Sequence, residues 1–483
     1  MLLTLTFSIT LFAIITIFFI NYNNYFLIRY CALFFSGLTL VLSTLIIFFF
    51  NKNYYHFQNV VSFNVGSDLV NTFFVFGLDG ISLFFFFLTT LLTFLCILFI
   101  WKDLYFKQNV LLLFVIQFFL LIIFSILDLF LFYIFFEAIL MPMYILIGFS
   151  GSRSRKVRAA YLFFFYTLCG SIFMLAGIIY IYINVGSLNL EYLLNWNFSW
   201  IEQNFLWLAF FLAFASKIPL FPFHIWLPEA HVEAPTVGSV LLAGILLKLG
   251  VYGFIRFSIT LFPEASLFFS PFVYLLSILG VLYASITAIR QTDLKRIIAY
   301  SSVAHMNLVS LGLFSFNLLG LEGAILQSIS HGFVSGGIFL LIGIIYDRYH
   351  TRFLYYYGGL VHLMPIYSTF LLLFILANIA LPGTSSFVGE FLLLCGIFKV
   401  NVLLCVISTI SVILGGAYSL WLYNRIIFGN IKFNYTIKFS DMDLRETIII
   451  FSLTIFILLI GINPTFFFSF FHLAIYNLSF DFF

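Results

Sequence analysis

Six ionisable side chains lie deep inside apolar runs. Glu137 sits in DLFLFYIFFEAILMPMYILIGF, nine residues past Asp128. At a rise of about 1.5 Å per residue, that is roughly 14 Å into the run. Lys217 lies in FASKIPLFPFHIWLPEAHVEAPT and Lys248 in VGSVLLAGILLKLGVYGFIRF. His305 (YSSVAHMNLVSLG), His331 (LQSISHGFVSGG) and Glu390 (ALPGTSSFVGEFLLL) complete the set. The chemistry open to these residue types is proton exchange. Burial raises a carboxyl pKa and a nearby cation lowers it, so a cation that moves would switch the proton on Glu137 on and off. A lysine in a dry site gives up its proton more readily, and histidine titrates near neutrality.

Each residue also has a plainer explanation. Glu137 could be one half of a structural ion pair. A lysine near a helix end can snorkel to the interface, although mid-span placement weakens this for Lys217 and Lys248. A lone buried histidine is usually a satisfied polar group. Two histidines on adjacent spans, between Lys248 and a buried carboxylate, favour a relay. Glu390 could instead cap backbone groups at the Pro382-Gly383 break. His224, Glu229, His231 and Glu233 match no zinc-ligand spacing. The five cysteines (Cys31, Cys96, Cys169, Cys395 and Cys405) form no C-x-x-C pair and read as small packing residues. There is no phosphate loop and no dinucleotide fingerprint, and GSRSRKVR is only a basic loop. No cofactor and no metal are expected in this chain.

The elements that must hold these groups follow from composition. Of 483 residues, 64% are hydrophobic and 8% charged. A soluble domain carries about 25% charged residues, so the surface here must face lipid. With a net charge of +3 and no aromatic-basic patch, nothing points to nucleic acid. The first twenty residues lack a basic start and a cleavage site, and read as the first span rather than a signal peptide.

A span needs about 20 apolar residues, and the runs predict an all-α integral membrane fold of about fourteen transmembrane helices. They cover about 3–20, 26–50, 79–101, 109–127, 128–149, 160–184, 205–230, 235–257, 268–290, 293–314, 318–346, 364–397, 401–427 and 446–468. The seventh holds Pro219, Pro222 and Pro228, and the twelfth holds Pro382-Gly383, so both should be broken. Five helices separate them, an odd number, which makes inverted five-helix repeats over 109–257 and 268–427 the expectation. Residues 1–108 would supply three leading helices and 428–483 the last. Loop charge supports the count. One set of loops holds sixteen Lys and Arg, among them Arg153, Arg155, Lys156, Arg158 and Lys438, whereas the other holds only Lys52, Arg256 and Lys399. The remaining two cations are Lys217 and Lys248. The positive-inside rule puts both termini on the side away from the basic loops.

The run SKIPLFPFHIWLPEAHVEAPTVGSVLLAGILLKLGVYGFIRF, with DLKRIIAYSSVAHMNLVSLG and LPGTSSFVGEF, is similar to the signature of the antiporter-like subunits of respiratory complex I. The resemblance covers essentially all fourteen spans. It implies that Glu137 and Lys217 are the family's helix-5 glutamate and helix-7 lysine. It further implies that Lys248, His305 and His331 form the central polar axis, and that Glu390 is the terminal proton site. NADH oxidation and quinone reduction, with flavin, iron–sulfur clusters and ubiquinone, would belong to other subunits. The implied partners are membrane lipids and the other membrane subunits, including antiporter-like chains 2 and 5. The implied setting is the mitochondrial inner membrane, with the termini facing the intermembrane space. Seventy-one phenylalanines suit an A+T-rich organellar genome. Mrp-type cation/proton antiporter subunits would carry the same buried row without redox coupling, and a passive scaffold would keep the fold without the transport. The six buried groups argue against the scaffold, because each would cost insertion energy for nothing.

Overall fold

The computed structural model describes residues 1–64, 73–103, 105–151, 153–432 and 440–480. Lys438 lies outside them. The chain opens with α1 (Leu2–Phe19) and α2 (Tyr25–Phe49), followed by a short antiparallel hairpin, β1 (Gln58–Asn64) and β2 (Phe73–Leu78). Next come α3 (Gly80–Phe99), α4 (Phe106–Ile123), α5 (Leu129–Ala138), α6 (Leu140–Ser150) and α7 (Lys156–Val185). The middle holds α8 (Leu190–Leu194), α9 (Trp200–Lys217), α10 (Trp226–Glu233), α11 (Thr236–Leu241), α12 (Leu247–Gly253) and α13 (Pro263–Phe268). Then follow α14 (Ser270–Arg290), α15 (Leu294–Leu313), α16 (Leu318–Tyr349), α17 (Pro365–Asn378), α18 (Ser385–Val400), α19 (Val402–Ile427), α20 (Leu444–Ile462) and α21 (Pro464–Phe480).

Helix lies at every one of the fourteen predicted spans, and eleven helices among the described residues are long and apolar enough to cross a membrane. The other three positions are the broken pairs α9/α10 and α17/α18, and α15, whose sequence is more polar. Starts are set by side-chain caps. Asp128 accepts from the Leu131 amide at 2.9 Å, and Asn317 from the Gly320 amide at 2.8 Å, each satisfying an orphan donor. Proline sets the breaks. Pro142 has no N–H to offer Ala138, and the fifth span is interrupted between α5 and α6, beside Glu137. At the end of α9 the freed Ser216 carbonyl is taken by the Trp226 indole at 2.8 Å, and the Pro219 carbonyl by Asn307 at 3.2 Å. At the twelfth-span break, Gly383 turns the chain with φ of 94°, and the Ser386 hydroxyl donates to the Ala377 carbonyl.

Packing separates an interior from a lipid-facing rim. Every residue of α16 from Gly320 to Ile345 is buried, as is the stretch from Val237 to Ile259. α1, α2, α7 and α19 expose Phe12, Phe48, Ile183 and Ile413. Two features depart from the sequence reading. The all-α expectation missed the hairpin. The last predicted span also stops short, since α20 ends at Ile462 and Pro464 starts a separate 17-residue helix. That helix, α21, lies against the start of α3. A Cβ on Gly80 would come within 2.0 Å of the Phe470 carbonyl oxygen, a backbone atom that cannot swing aside. Gly80→Ala should therefore undock α21 at a cost of about 1–3 kcal/mol. Limited proteolysis within 464–480 reads this, and wild-type resistance in the variant would count against it.

Candidate functional site

The interior stretch from Thr236 to Ile259 is not a uniform α-helix. π-helical turns at Leu242–Leu246 and Phe254–Ile259 flank α12, and such turns loosen the backbone ladder. The first loosens it one turn before Lys248. Its Nζ donates to the Ala243 carbonyl at 2.5 Å and lies 2.8 Å from His331 Nδ1. Glycine permits the approach of the two helices: a Cβ on Gly332 would sit 3.0 Å from the Gly244 carbonyl oxygen. From His331 the row continues to His305, with ring centres 5.8 Å apart. His305 Nδ1 stands 2.9 Å from Glu390 Oε1. Gln327 donates to the same oxygen at 3.1 Å, and Ser330 donates to the Gln327 amide oxygen at 3.1 Å. A cavity of about 20 Å³ opens beside Glu390, lined also by His305, Asn378 and Tyr418. That is room for about one water among polar groups.

Four of the six residues singled out from sequence thus form one chain of contacts, in the order Lys248, His331, His305, Glu390. The other two form a second group. Lys217 is buried at the end of α9, its Nζ 4.5 Å from the Phe136 ring centre. Its charge acts on Glu137, which also has Ser171 as a neighbour. Neither Lys217 Nζ nor Glu137 Oε1 has a protein hydrogen-bond partner among the described residues.

Several charges look different in space from their place in the sequence. Arg256, counted with the loops, is buried and pairs with Asp79 at 2.6 Å. Asp79 meanwhile caps α3, accepting from the Ser82 amide at 2.9 Å. Arg352 is also buried. It pairs with Glu233 at 3.0 Å and Asp293 at 2.7 Å, and donates to the Val232 carbonyl. Glu229 pairs with Arg296 at 2.6 Å, and His231 stacks on Phe339. Gln327, which bonds Glu390, and Tyr418, which lines the cavity beside it, were not singled out from the sequence. An uncharged residue on an apolar helix gives little signal in sequence.

The fold and the buried row define a polytopic, antiporter-like membrane subunit. Residues 127–415 match the family described as NADH:quinone oxidoreductase/Mrp antiporter, TM. An NADH-ubiquinone oxidoreductase chain 4 of Marchantia polymorpha is 55% identical over 365 residues, covering 76% of this chain and 74% of its own. That of Chondrus crispus is 48% identical over 454 residues, covering 94% and 92%. The chain belongs to the NADH-ubiquinone oxidoreductase chain 4 family. Among solved structures, a chain of respiratory complex I from Thermus thermophilus with bound NADH superposes with a TM-score of 0.89 at 29% identity, covering 100% of each. The Mrp complex from Dietzia sp. DQ12-45-1b gives 0.84 at 20% identity, covering 99% and 98%, a likeness of fold alone.

Proposed function

We propose that this chain is a proton-translocating membrane-arm subunit of respiratory complex I, carrying protons while other subunits oxidise NADH and reduce ubiquinone. The observation that carries this reading is the buried Lys248–His331–His305–Glu390 row, in which Lys248 meets His331, His305 meets Glu390, and the two imidazole centres lie 5.8 Å apart. Each of these groups can hold and pass a proton. Glu137 and Lys217 form the input switch, a carboxyl whose charge state follows a nearby lysine. The two halves, 109–257 and 268–427, are inverted repeats with their broken helices at Lys217 and before Glu390. The protein sits in the mitochondrial inner membrane beside antiporter-like chains 2 and 5, with the 153–158 loop in the matrix and both termini in the intermembrane space. Cofactors reside in the other subunits.

Moving one charge against the membrane potential costs about 2.3 kcal/mol per 100 mV, so a path must hold and release protons under load. Glu137→Gln and Lys217→Ala should each lower NADH-driven acidification of proteoliposomes several-fold, with the complex still assembled. Wild-type pumping per NADH in both variants would sink the reading. Protease access to the 153–158 loop from the intermembrane side alone would overturn the orientation.

A further inference from the structure

Lys248 has polar neighbours in a second direction, away from His331. Tyr252 and Arg256 follow it at four-residue steps on the buried stretch from Thr236 to Ile259, so each is the helical neighbour of the last. The start of this stretch lies at the basic-loop side, where Lys295 Nζ donates to the Ala234 carbonyl at 2.7 Å. Arg256 closes the far end, roughly 12 Å beyond Lys248 at the rise of a helix.

The second π-helical turn, Phe254–Ile259, carries Arg256. Its guanidinium pairs with Asp79 at 2.6 Å, and its Nε donates to the Tyr252 hydroxyl at 3.3 Å. Asp79 is held in turn, because its other carboxylate oxygen accepts from the Ser82 amide at 2.9 Å at the start of α3. The guanidinium carbon lies 5.0 Å from the Phe57 ring centre and 5.3 Å from that of Tyr252. The hairpin holds Phe57 in place. A Cβ on Gly77 would come within 3.0 Å of Phe57 Cβ, and the Gly77 amide donates to the Ser125 carbonyl at 2.7 Å. Around Tyr252 stand Phe124, with ring centres 5.4 Å apart, and Phe85 and Phe132, each at 6.4 Å.

The line from Lys248 therefore ends on a side chain that cannot hand a proton on. A guanidinium stays protonated and offers donors but no acceptor. A fixed cation also repels an approaching proton, which is how an arginine can exclude protons from a constriction. Tying α3 to the Thr236–Ile259 stretch needs only an ion pair. Sealing needs a group that never releases its proton.

We propose that Arg256, held by Asp79 and covered by the hairpin, is a proton seal. It keeps a proton on Lys248 from escaping past Tyr252 to the side away from the basic loops, which leaves His331, at 2.8 Å, as the way on. This rests on the proton-translocating reading above. Arg256 is a positioning residue of the path and carries no proton itself.

The test uses the intact complex in sealed proteoliposomes without NADH, with an imposed pH difference followed by an entrapped pH-sensitive dye. Arg256→His puts a group that titrates near neutrality in place of a fixed charge, and the difference should decay several-fold faster than with wild type. Adding Lys248→Met should abolish that leak. Asp79→Asn breaks the same ion pair but keeps the guanidinium, so it should stay as tight as wild type. Should Arg256→His fail to assemble, the double variant Asp79→Asn/Arg256→His, which strands no carboxylate, takes its place with the same expectation. A tight membrane with assembled Arg256→His, an equal leak with Asp79→Asn, or a leak that survives Lys248→Met would each overturn the seal. Wild-type pumping per NADH in Glu137→Gln would refute the translocation reading instead, whatever the leak measurements give.

Discussion

Glu390→Gln should leave an assembled complex whose proton pumping falls by at least about tenfold, since positioned proton-transfer groups typically contribute about 10²–10⁴ in rate. The amide keeps the size of the side chain and can still accept from Gln327 and meet His305, but it cannot titrate. The geometry makes the change specific. One carboxylate oxygen takes both the Gln327 amide at 3.1 Å and the His305 ring at 2.9 Å, at the edge of a cavity large enough for about one water. A carboxyl there can hand a proton from His305 to water. Capping at the twelfth-span break is done by other groups, since Ser386 and Thr384 donate to the Ala377 and Leu381 carbonyls. Quenching of a pH-sensitive dye by reconstituted complex, normalised to NADH oxidised, gives the measurement. Wild-type stoichiometry with normal assembly would take Glu390 out of the path.

Arg352→Met should produce the largest loss of stability, about 3–5 kcal/mol, because it strands two buried carboxylates. Glu233 lies 3.0 Å and Asp293 2.7 Å from the guanidinium, and all three residues are buried. Met replaces the aliphatic stem, so the defect isolates charge rather than packing. Its pH dependence has a definite sign. Burial already holds the Asp293 carboxyl above its ordinary pKa, against the pull of Arg352 and Arg153. Removing Arg352 raises it further, so the folded chain then binds more protons than the unfolded one. Stability of the variant should rise as pH falls towards the ordinary carboxylate range. Thermal melting of the purified complex between about pH 5 and 8 tests this. A variant that melts like wild type, or is steadied by alkali, would contradict it.

Much of the fold was legible because lipid imposes a simple code. Apolar runs bounded by charge fell on helix at each predicted span, eleven of them long and apolar enough to cross a membrane, and prolines marked the breaks in the seventh and twelfth. Partners were not legible. Arg352 and Glu233 are 119 residues apart, and helical periodicity tells which face a residue occupies without telling what faces it. Arg256 looked like a loop charge because it stands near the end of an apolar run; only the fold brings Asp79 to it. The order of the row was also hidden, since Lys248 meets His331 before His305 although His305 comes first in sequence. α21 escaped because its phenylalanine-rich sequence continues the preceding run, and Asn463-Pro464 was the one sign of a new start. The hairpin's strands alternate too weakly in polarity to stand out beside the helices.

The buried middle of α16 has a consequence for how the protein is made. From Gly320 to Ile345 it has no face suited to lipid, and it carries Glu322, Gln327, Ser328, Ser330, His331 and Ser335 within one stretch. During synthesis such a segment reaches the membrane before α18 and α20, against which it finally packs, have been translated. It is long and apolar enough to enter the membrane, but alone in hydrocarbon it would leave Glu322, Gln327 and His331 without their partners, at a cost. Its lasting insertion thus depends on helices made earlier, such as α3 and α15, holding it at the mouth of the insertion channel until the rest arrive. Biogenesis of this subunit should therefore stall at a definite chain length, once α16 has emerged, and that is where membrane insertion factors would be needed most.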